Sequence, residues 1–555
     1  MTFHTPSFAQ SQYVPLNDDY YHLIDRFEIR RGRLTEDFHI GVKPFQRKAV
    51  VNLLDSIEAD RTMPLSDVDF FNLNYLRQDS WEWSTDKTPM SKKRFLKRFY
   101  QRPSDFYYVQ NKDFDLHLSP ITHLILGTEN SSNDFLWLTA RGVELRGTIG
   151  KKLGFYTYVT DTQAMFGKYV RDYTLNFRPI TINGYEHYIV PGESFVKSVR
   201  TYGVDFISAR GYVTFNPIKQ INVQFGHDRN VIGSGYRSMI LSDWSSPYLF
   251  LKMTTQLGRF QYLNLWCGML YNQPNRVKDS TLNKKYAAIH HLSINLGKNF
   301  NLGIFEAEVF GRQGGGFDLN YLNPIIFYRY LESYLGSADN AMLGLDMRWN
   351  FLKHFGFYSQ FMLDEFNTSD YFTKKGFWAK KYGFQAGLKY VDAFGIKNLD
   401  LQTEFNVARP FTYSHETGFA NYVHYDQPLA HPLGANFWEV LGIARYQPTR
   451  RLSIYGTFIR SKHGVDSDSR NWGGNILRDY EVNRARDLGN VIGQGTPVNV
   501  TFTDLRLSYM LKHNLFIDGR LMMRRQESPV EAQRLSTNSF TFGVRLNIPY
   551  RQQAF

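Results

Sequence analysis

The sequence predicts an all-β protein: a transmembrane antiparallel β-barrel of about eighteen strands, preceded by a small N-terminal periplasmic helical bundle. Three observations carry this. Aromatic residues make up 16% of the 555 positions while mean hydropathy is −0.40, so a polar chain carries many rings. No apolar run approaches the ~18 to 20 residues that a membrane-spanning helix requires. From about residue 114 onward, apolar and polar residues alternate in segments of ~10, joined by turns that are in turn short and long.

The N-terminus comes first. Met1 to Gln10 reads MTFHTPSFAQ, and Ser7, Phe8 and Ala9 match the small-x-small end of a secretory signal peptide, so residues 1–9 are expected to be the remnant of a leader. Residues 10–112 then follow a helical period and are expected to form the periplasmic helical region. Pro44 can open a first turn, and Val50, Leu53, Leu54 and Ile57 recur at i, i+3, i+4, i+7. A second helix is expected from Ser66, whose hydroxyl can cap while Asp67 and Asp69 complement the helix dipole and Val68, Phe71 and Tyr75 face inward. A third segment, SKKRFLKRFYQR from Ser91, mixes six basic residues with rings and suits an anionic membrane surface or a wet helix face.

Residues 113–555 are expected to form the barrel. Leu399, Leu401, Thr403, Phe405 and Val407 alternate with Asp400, Gln402, Glu404 and Asn406. Tyr382, Phe384, Ala386 and Leu388 alternate with Gly383, Gln385 and Gly387, and Ile517, Leu521 and Met523 alternate with Asp518, Arg520 and Arg524. Short turns near Lys151, Pro217, Gly258, Lys298, Lys353, Gly395, Thr449 and His513 define sixteen strands, and a first strand from 114 and a last one at 539–550 make eighteen. The remaining connections, such as 163–203, 311–339, 409–436 and 462–497, are long. Short periplasmic turns and long extracellular loops are the pattern of a bacterial outer-membrane barrel, where a soluble sandwich would not sort its connections. In the last strand Phe540, Phe542 and Val544 alternate with polar residues and the chain runs on to Phe555, a pattern expected to be read by the barrel-insertion machinery.

Composition narrows the function. Cys267 is the sole cysteine, which excludes a disulfide framework and any multi-cysteine metal site. With 43% apolar and 21% charged residues the chain is not disordered. The net charge of +13 suits an acidic partner. For an exported barrel this means lipopolysaccharide and surface polysaccharide, with no nucleic acid expected. The sequence contains no HExxH, GxxxxGK or GxSxG motif and no GxGxxG opening a helix.

Three stretches then point to a family: FGHDRNVIGSGYRSMILSDWSSPY from Phe225, LNPIIFYRYLESYLGSADNAMLGLD from Leu322 with YSQFMLDEF from Tyr358, and ARPFTYSHETGFANYVHYDQPLAHPLGANFWE from Ala408. Together with the opening YHLIDRFEIRRG they resemble the Wzi capsule-assembly and RemB gliding-motility family, with loop tips similar to its Bacteroidetes branch. The resemblance implies an eighteen-stranded outer-membrane barrel, a periplasmic helical bundle, loops folded inward as a plug, and binding of capsular polysaccharide or a part in surface adhesion.

The candidate ligand-binding residues are Tyr413, His415, Tyr422, His424, Tyr425, Gln427, His431 and Asn436, all in one long connection. Their rings can stack on sugar C–H faces while their polar groups fix orientation. The same groups can instead satisfy one another as a plug. Asp228, Arg229 and Trp244 in the 226–247 loop form a second candidate set. Gly233-Ser234-Gly235 is weak as a phosphate signal, because no helix onset or lysine follows in place. The three histidines lack the spacing of a metal site, and Asp364 with Glu365 is a carboxylate pair with no partner acid. No catalytic residue, metal or cofactor is assigned. Three functions stay open: a non-catalytic polysaccharide binder or organiser, an outer-membrane component of an adhesion, gliding or secretion assembly that binds outer-membrane or periplasmic proteins, and a plugged diffusion channel.

Overall fold

A computed structural model describes residues 11–84, 90–91, 98–176, 180–182, 185–199, 203–271, 282–312, 315–337, 339–364 and 375–555. The leader expected at 1–9, most of the basic segment after Ser91, and Glu365 lie outside these residues.

Eighteen antiparallel strands close into one barrel. In chain order they are β1 (Phe114–Glu129), β2 (Leu136–Ile149), β3 (Leu153–Met165), β4 (Gly203–Ile218), β5 (Ile221–Asp228), β6 (Tyr248–Leu257), β7 (Phe260–Tyr271), β8 (Asn283–Leu296) and β9 (Phe300–Phe310). Then come β10 (Asn340–Phe351), β11 (Phe355–Asp364), β12 (Lys381–Tyr390), β13 (Leu399–Ala408), β14 (Phe437–Tyr446), β15 (Leu452–Val465), β16 (Thr496–Lys512), β17 (Leu515–Glu527) and β18 (Leu535–Leu546). β18 pairs with β1, Phe542 opposite Leu126 and Val544 opposite Leu124, which closes the ladder and removes both sheet edges. The period-two reading holds through the wall: Leu126, Ile207, Ile304, Phe405, Leu505 and Phe542 stand exposed on the outside, while Asp400, Gln402, Glu404 and Asn406 are buried in the lumen.

The last strand ends four residues earlier than its alternation suggests. Asn547 takes a left-handed conformation (φ 53°), and its N–H bonds to Asn514 in the neighbouring turn. The chain is thereby turned inward, so residues 547–555 climb inside the lumen. Phe555, grouped with the last strand as part of the insertion signal, packs inside the lumen against Tyr169, Tyr173 and Trp244.

Three helices close the short-turn end: α1 (Asp18–Arg31), α2 (Arg47–Glu58) and α3 (Asp67–Gln78). α1 starts where the Asn17 side chain accepts from the Asp19 and Tyr20 N–H groups, and it stops at left-handed Gly32. α3 starts with a capping box between Ser66 and Asp69. Their apolar faces, including Ile24, Phe27, Val50, Leu54, Ile57 and Leu73, form a core of their own. Polar contacts then fix the cap to turn after turn: the Leu34 N–H to the Lys298 carbonyl at 2.7 Å, Asn72 to Gln447 at 2.8 Å, and Tyr75 to Asn514 at 2.7 Å. A buried ionic network goes deeper. Arg26 meets Asp400 and Asp392 on the barrel and Asp69 on α3, and Asp25 meets Arg348 and Lys389.

The long connections take two directions. Residues 229–247 and 409–436 fold inward. The 311–339 connection, which contains α5 (Tyr328–Leu335), does not join the plug expected of the long loops. Its residues 315–337 fold down the outside of the wall over β7–β10.

Candidate functional site

The plug is built by two inward loops meeting one side of the wall. On β6–β11 the upper lumenal row is apolar rather than polar, with Phe250, Leu263, Leu265, Met269, Ile289, Phe305 and Met342. Met239, Ile240 and Leu241 of the first loop and Tyr413, Tyr422, Val423 and Leu429 of the second pack on it as one dry core. Polar anchors fix the register. The backbone N–H groups of Tyr236 and Arg237 donate to the Glu404 carboxylate at 2.8 and 3.1 Å, and the Arg237 guanidinium pairs with Glu439 through two 3.1 Å contacts. The Gly-Ser-Gly stretch has a wall-facing purpose. A Cβ on Gly235 would stand 2.5 Å from a Glu404 oxygen, and Gly233 adopts φ 153° beside Gln360. Only glycine lets the loop lie this close to the wall.

The predicted residues of the 409–436 loop are nearly all spent on this packing. Tyr413 donates to the Met239 carbonyl at 2.6 Å and its ring lies 5.9 Å from that of Tyr422. His424 sits between the Leu270 N–H and the Pro247 carbonyl, at 3.1 Å from each. Burial there holds its imidazole down at about 3, so it stays neutral. His431 contacts Glu439 at 2.9 Å, and His415 contacts Thr417 at 2.9 Å. Gln427 bridges the Gly192 N–H and the Glu193 carbonyl, and Asn436 ties Gly464, Gly493 and Gln494 together. Tyr425 meets Phe195 edge to face at 4.9 Å. The sequence leaves both a sugar platform and a plug open for this loop. The rings face one another and the wall, so the loop offers no open aromatic face at Tyr413 or Tyr422. Asp364 is likewise buried and accepts the Tyr413 N–H.

The second candidate set has a different setting. Asp228 accepts the Arg229 N–H at 2.8 Å, and Arg229 is buried against the Ser245 carbonyl at 2.8 Å. Burial beside Arg551 and Arg210 lowers the Arg229 guanidinium to about 9. Trp244 borders a chamber of about 290 Å³ on the opposite side of the lumen from the dry core. The chamber runs from Asp18 at the start of α1 to Tyr169 on α4 (Lys168–Asn176), with β1–β4, β17 and β18 as its wall and the tail 548–553 along one side. Tyr158, Tyr236, Trp244 and Tyr550 give it aromatic surface, and Arg210, Arg237, Arg520 and Arg551 give it cations. Six lining side chains keep a buried polar atom with no hydrogen-bond partner: Ser208 Oγ, Arg210 Nε, Trp244 Nε1, Asp518 Oδ1, Arg520 Nη2 and Gln553 Oε1. Asp18 stands open to the chamber opposite Asp243; desolvation by the surrounding protein, and then that second carboxylate, push it up to about 6. Rings beside forked donors and scattered acceptors are the chemistry that holds a polyhydroxylated, acidic ligand.

Of the chamber residues only Trp244 and the neighbouring Arg229 were singled out by sequence. Arg210, Arg520 and Tyr550 come from three separate segments, and their only signal was polarity on the inward row of a strand or past its end.

A model of the family described as capsule assembly protein Wzi matches residues 158–518. Among solved structures, Wzi of Escherichia coli, described as a carbohydrate-binding outer-membrane β-barrel involved in group 1 capsule assembly, is similar with a TM-score of 0.56 and 13% identity, covering 96% of this chain and 99% of that one. OprD of Pseudomonas aeruginosa reaches a TM-score of 0.42 at 10% identity, over 78% of this chain and 94% of that one. No curated protein sequence matches.

Proposed function

The chain belongs to the Wzi capsule-assembly family, an outer-membrane β-barrel of the bacterial envelope, and from that premise we propose that it is a non-catalytic binder of surface polysaccharide whose ligand enters the Trp244 chamber rather than the 409–436 loop. Its short-turn end and the α1–α3 cap then face the periplasm, and the long loops face outward. One observation carries the reading: six polar atoms without a hydrogen-bond partner collected around the rings of one lumenal chamber, opposite a plug whose own polar groups are largely spent. Arg520 suits a carboxylated sugar, because a guanidinium whose Nε is held by Asp504 still presents an Nη2 without a hydrogen-bond partner to a carboxylate oxygen.

The test is retention of acidic capsular polysaccharide on purified, reconstituted barrel. Trp244→Ala with Arg520→Ala should weaken it by tenfold or more, since a lost ring face and a lost charged donor are each worth about 1 to 2 kcal/mol. Unchanged retention in a barrel with wild-type gel mobility would refute the chamber.

A second reading has support of its own. Val482, Leu488 and Val491 stand exposed on the 466–495 loop, a surface suited to a protein partner in an adhesion or gliding assembly. Kinship with the Bacteroidetes gliding branch rests on the three stretches quoted from the sequence. Co-purification from native membranes separates the two, since it returns either polysaccharide or a stoichiometric protein.

A further inference from the structure

The outer wall of β7–β10 is not uniformly apolar. Tyr262, Leu292, Ile304 and Leu345 stand in register as one outward row, and the last three are exposed like the rest of the lipid-facing band. The next outward row toward the long-loop end reads Asn264, His290 and Glu306, and the one beyond it contains Glu308. Glu308 and Asn264 are fully buried, and neither side chain has a hydrogen-bond partner. Such groups facing acyl chains would be strongly unfavourable.

They are buried because residues 315–337 lie over them. The segment descends the wall, turns at 323–326 and returns through α5. Three outward side chains of the wall each donate to a backbone carbonyl of this flap: Tyr286 to Gly315 at 2.6 Å, Trp266 to Tyr321 at 2.8 Å, and Tyr262 to Pro324 at 2.6 Å. Tyr328 stacks on His290 with centroids 3.9 Å apart. At the root, Arg312 bridges Asp318 and Asp339 with contacts of 3.0 and 2.7 Å.

The tip lies level with the row of Ile304, six residues below Phe310 at the top of β9. That is roughly 20 Å of strand, or about 15 Å along the barrel axis at a tilt of ~40°. The apolar band of such a barrel is only ~25 Å tall, so the flap reaches well into it. The tip is also built as buried backbone must be. The Asn323 side chain accepts the N–H groups of Ile325 and Ile326 at 3.1 and 3.3 Å, and Pro324 has no N–H to satisfy. Its outer side presents Leu319, Ile325, Phe327, Tyr330 and Tyr334, with Ile325 84% exposed, and Arg329 on this side pairs with Glu332.

We infer that residues 315–337 form a re-entrant flap inserted into the outer half of the bilayer, with its aromatic and aliphatic face against outer-leaflet acyl chains. The occupant follows from continuity: the flap replaces, over four strands, a stretch of wall whose neighbouring rows are the lipid-facing band. This is independent of the ligand proposed for the chamber.

The test uses full-length protein carrying Cys267→Ala, which removes the buried native thiol. A fluorophore is placed at Ile325→Cys, at Leu345→Cys as a wall control, and at Val491→Cys on the exposed 466–495 loop. In vesicles of phosphatidylcholine with brominated acyl chains, quenching at Ile325 should fall within about twofold of that at Leu345, as expected of a site inside the apolar band, and far above that at Val491. Aqueous iodide should reverse the order. Iodide quenching at Ile325 equal to that at Val491 would overturn the insertion. Shielding from both quenchers would mean that a second chain covers the face, which overturns the lipid assignment. Tyr334→Cys gives the same readout if the Ile325 variant fails to reach the folded, heat-modifiable form.

Discussion

Arg26→Ala should open the barrel at its short-turn end. The guanidinium is 2% exposed and meets Asp400, Asp392 at 2.6 Å and Asp69 at 3.4 Å, with Asn398 at 3.2 Å. Its removal leaves three carboxylates in a buried site, with His22 on Asp400 and Arg30 on Asp69 and Asp392 as the remaining counter-groups among the described residues. Breaking a buried ionic network by deleting one partner costs about 3 to 5 kcal/mol, which corresponds to a roughly hundredfold to several-thousandfold rise in the open population at about 1.4 kcal/mol per decade. The control is Asp67→Ala. Its partner Arg450 is 62% exposed and Asp67 itself 83%, and exposed pairs are worth about 0 to 1 kcal/mol. Planar-bilayer conductance together with protease cleavage of the released cap reads both variants. If Arg26→Ala remains as closed and uncleaved as Asp67→Ala, the apolar core around Ile24, Phe27 and Leu54 holds the cap without help from the charges, and the network is not the lock.

Three further outcomes are expected. Tyr422→Phe removes a buried hydroxyl with no partner, so it should leave polysaccharide retention unchanged and raise the heat-modification midpoint, by up to about 1 kcal/mol of stability. Phe542→Asp with Val544→Asp puts charge on the lipid face of β18 and should deplete folded barrel from the outer membrane, at a cost of up to about 2 kcal/mol per site for an acidic residue; Phe555→Ala, a lumenal ring, should insert normally and disturb only the chamber, as blotting of membrane fractions would reveal. Burial pushes the Glu28 carboxyl up to about 7, offset only in part by Arg348 and the Thr35 N–H. The folded protein therefore holds a proton that the unfolded chain releases between about 4.5 and 7, so this group's contribution is fully present below pH 4.5 and falls by roughly 3 kcal/mol as pH rises through 7. Glu28→Gln should flatten that fall when midpoints at pH 5 and pH 8 are compared.

Much of the barrel was legible because a strand has only two faces. Once Asp400, Gln402, Glu404 and Asn406 share one face and Phe405 the other, water in the lumen and lipid outside leave a single assignment, and the eight short turns then fix the count. The start of α3 was legible for the same local reason, since Ser66 and Asp69 form their capping box within four residues, whereas α2 begins at Arg47, past the Pro44 expected in its first turn. Loop destinations obey no such local rule. The rings of Tyr413 and Tyr422 suit a sugar face and a plug core equally well, and what decides between them is the apolar lumenal row on β6–β11, up to about 170 residues away in sequence. The tail misled in the opposite sense. Phe540 to Tyr550 keeps its alternation past the end of β18, and Asn547 breaks the strand through a left-handed turn that alternation does not encode.

The flap is the instructive case, since its signal was present in the strand it covers. The outward row of β9 runs Phe300, Leu302, Ile304, Glu306, Glu308, Phe310, so two carboxylates interrupt an otherwise apolar face on the side that should meet lipid. A lipid-facing glutamate is costly, and a barrel with two of them on one strand must cover that stretch of wall. The 311–339 connection begins immediately after β9, carries Leu319, Ile325, Phe327, Tyr330 and Tyr334 for an outer surface, and supplies Arg329 N–H to Glu306 at 3.0 Å from its inner one. A long loop next to a strand with a broken lipid row is therefore a reason to place that loop outside the barrel rather than in it.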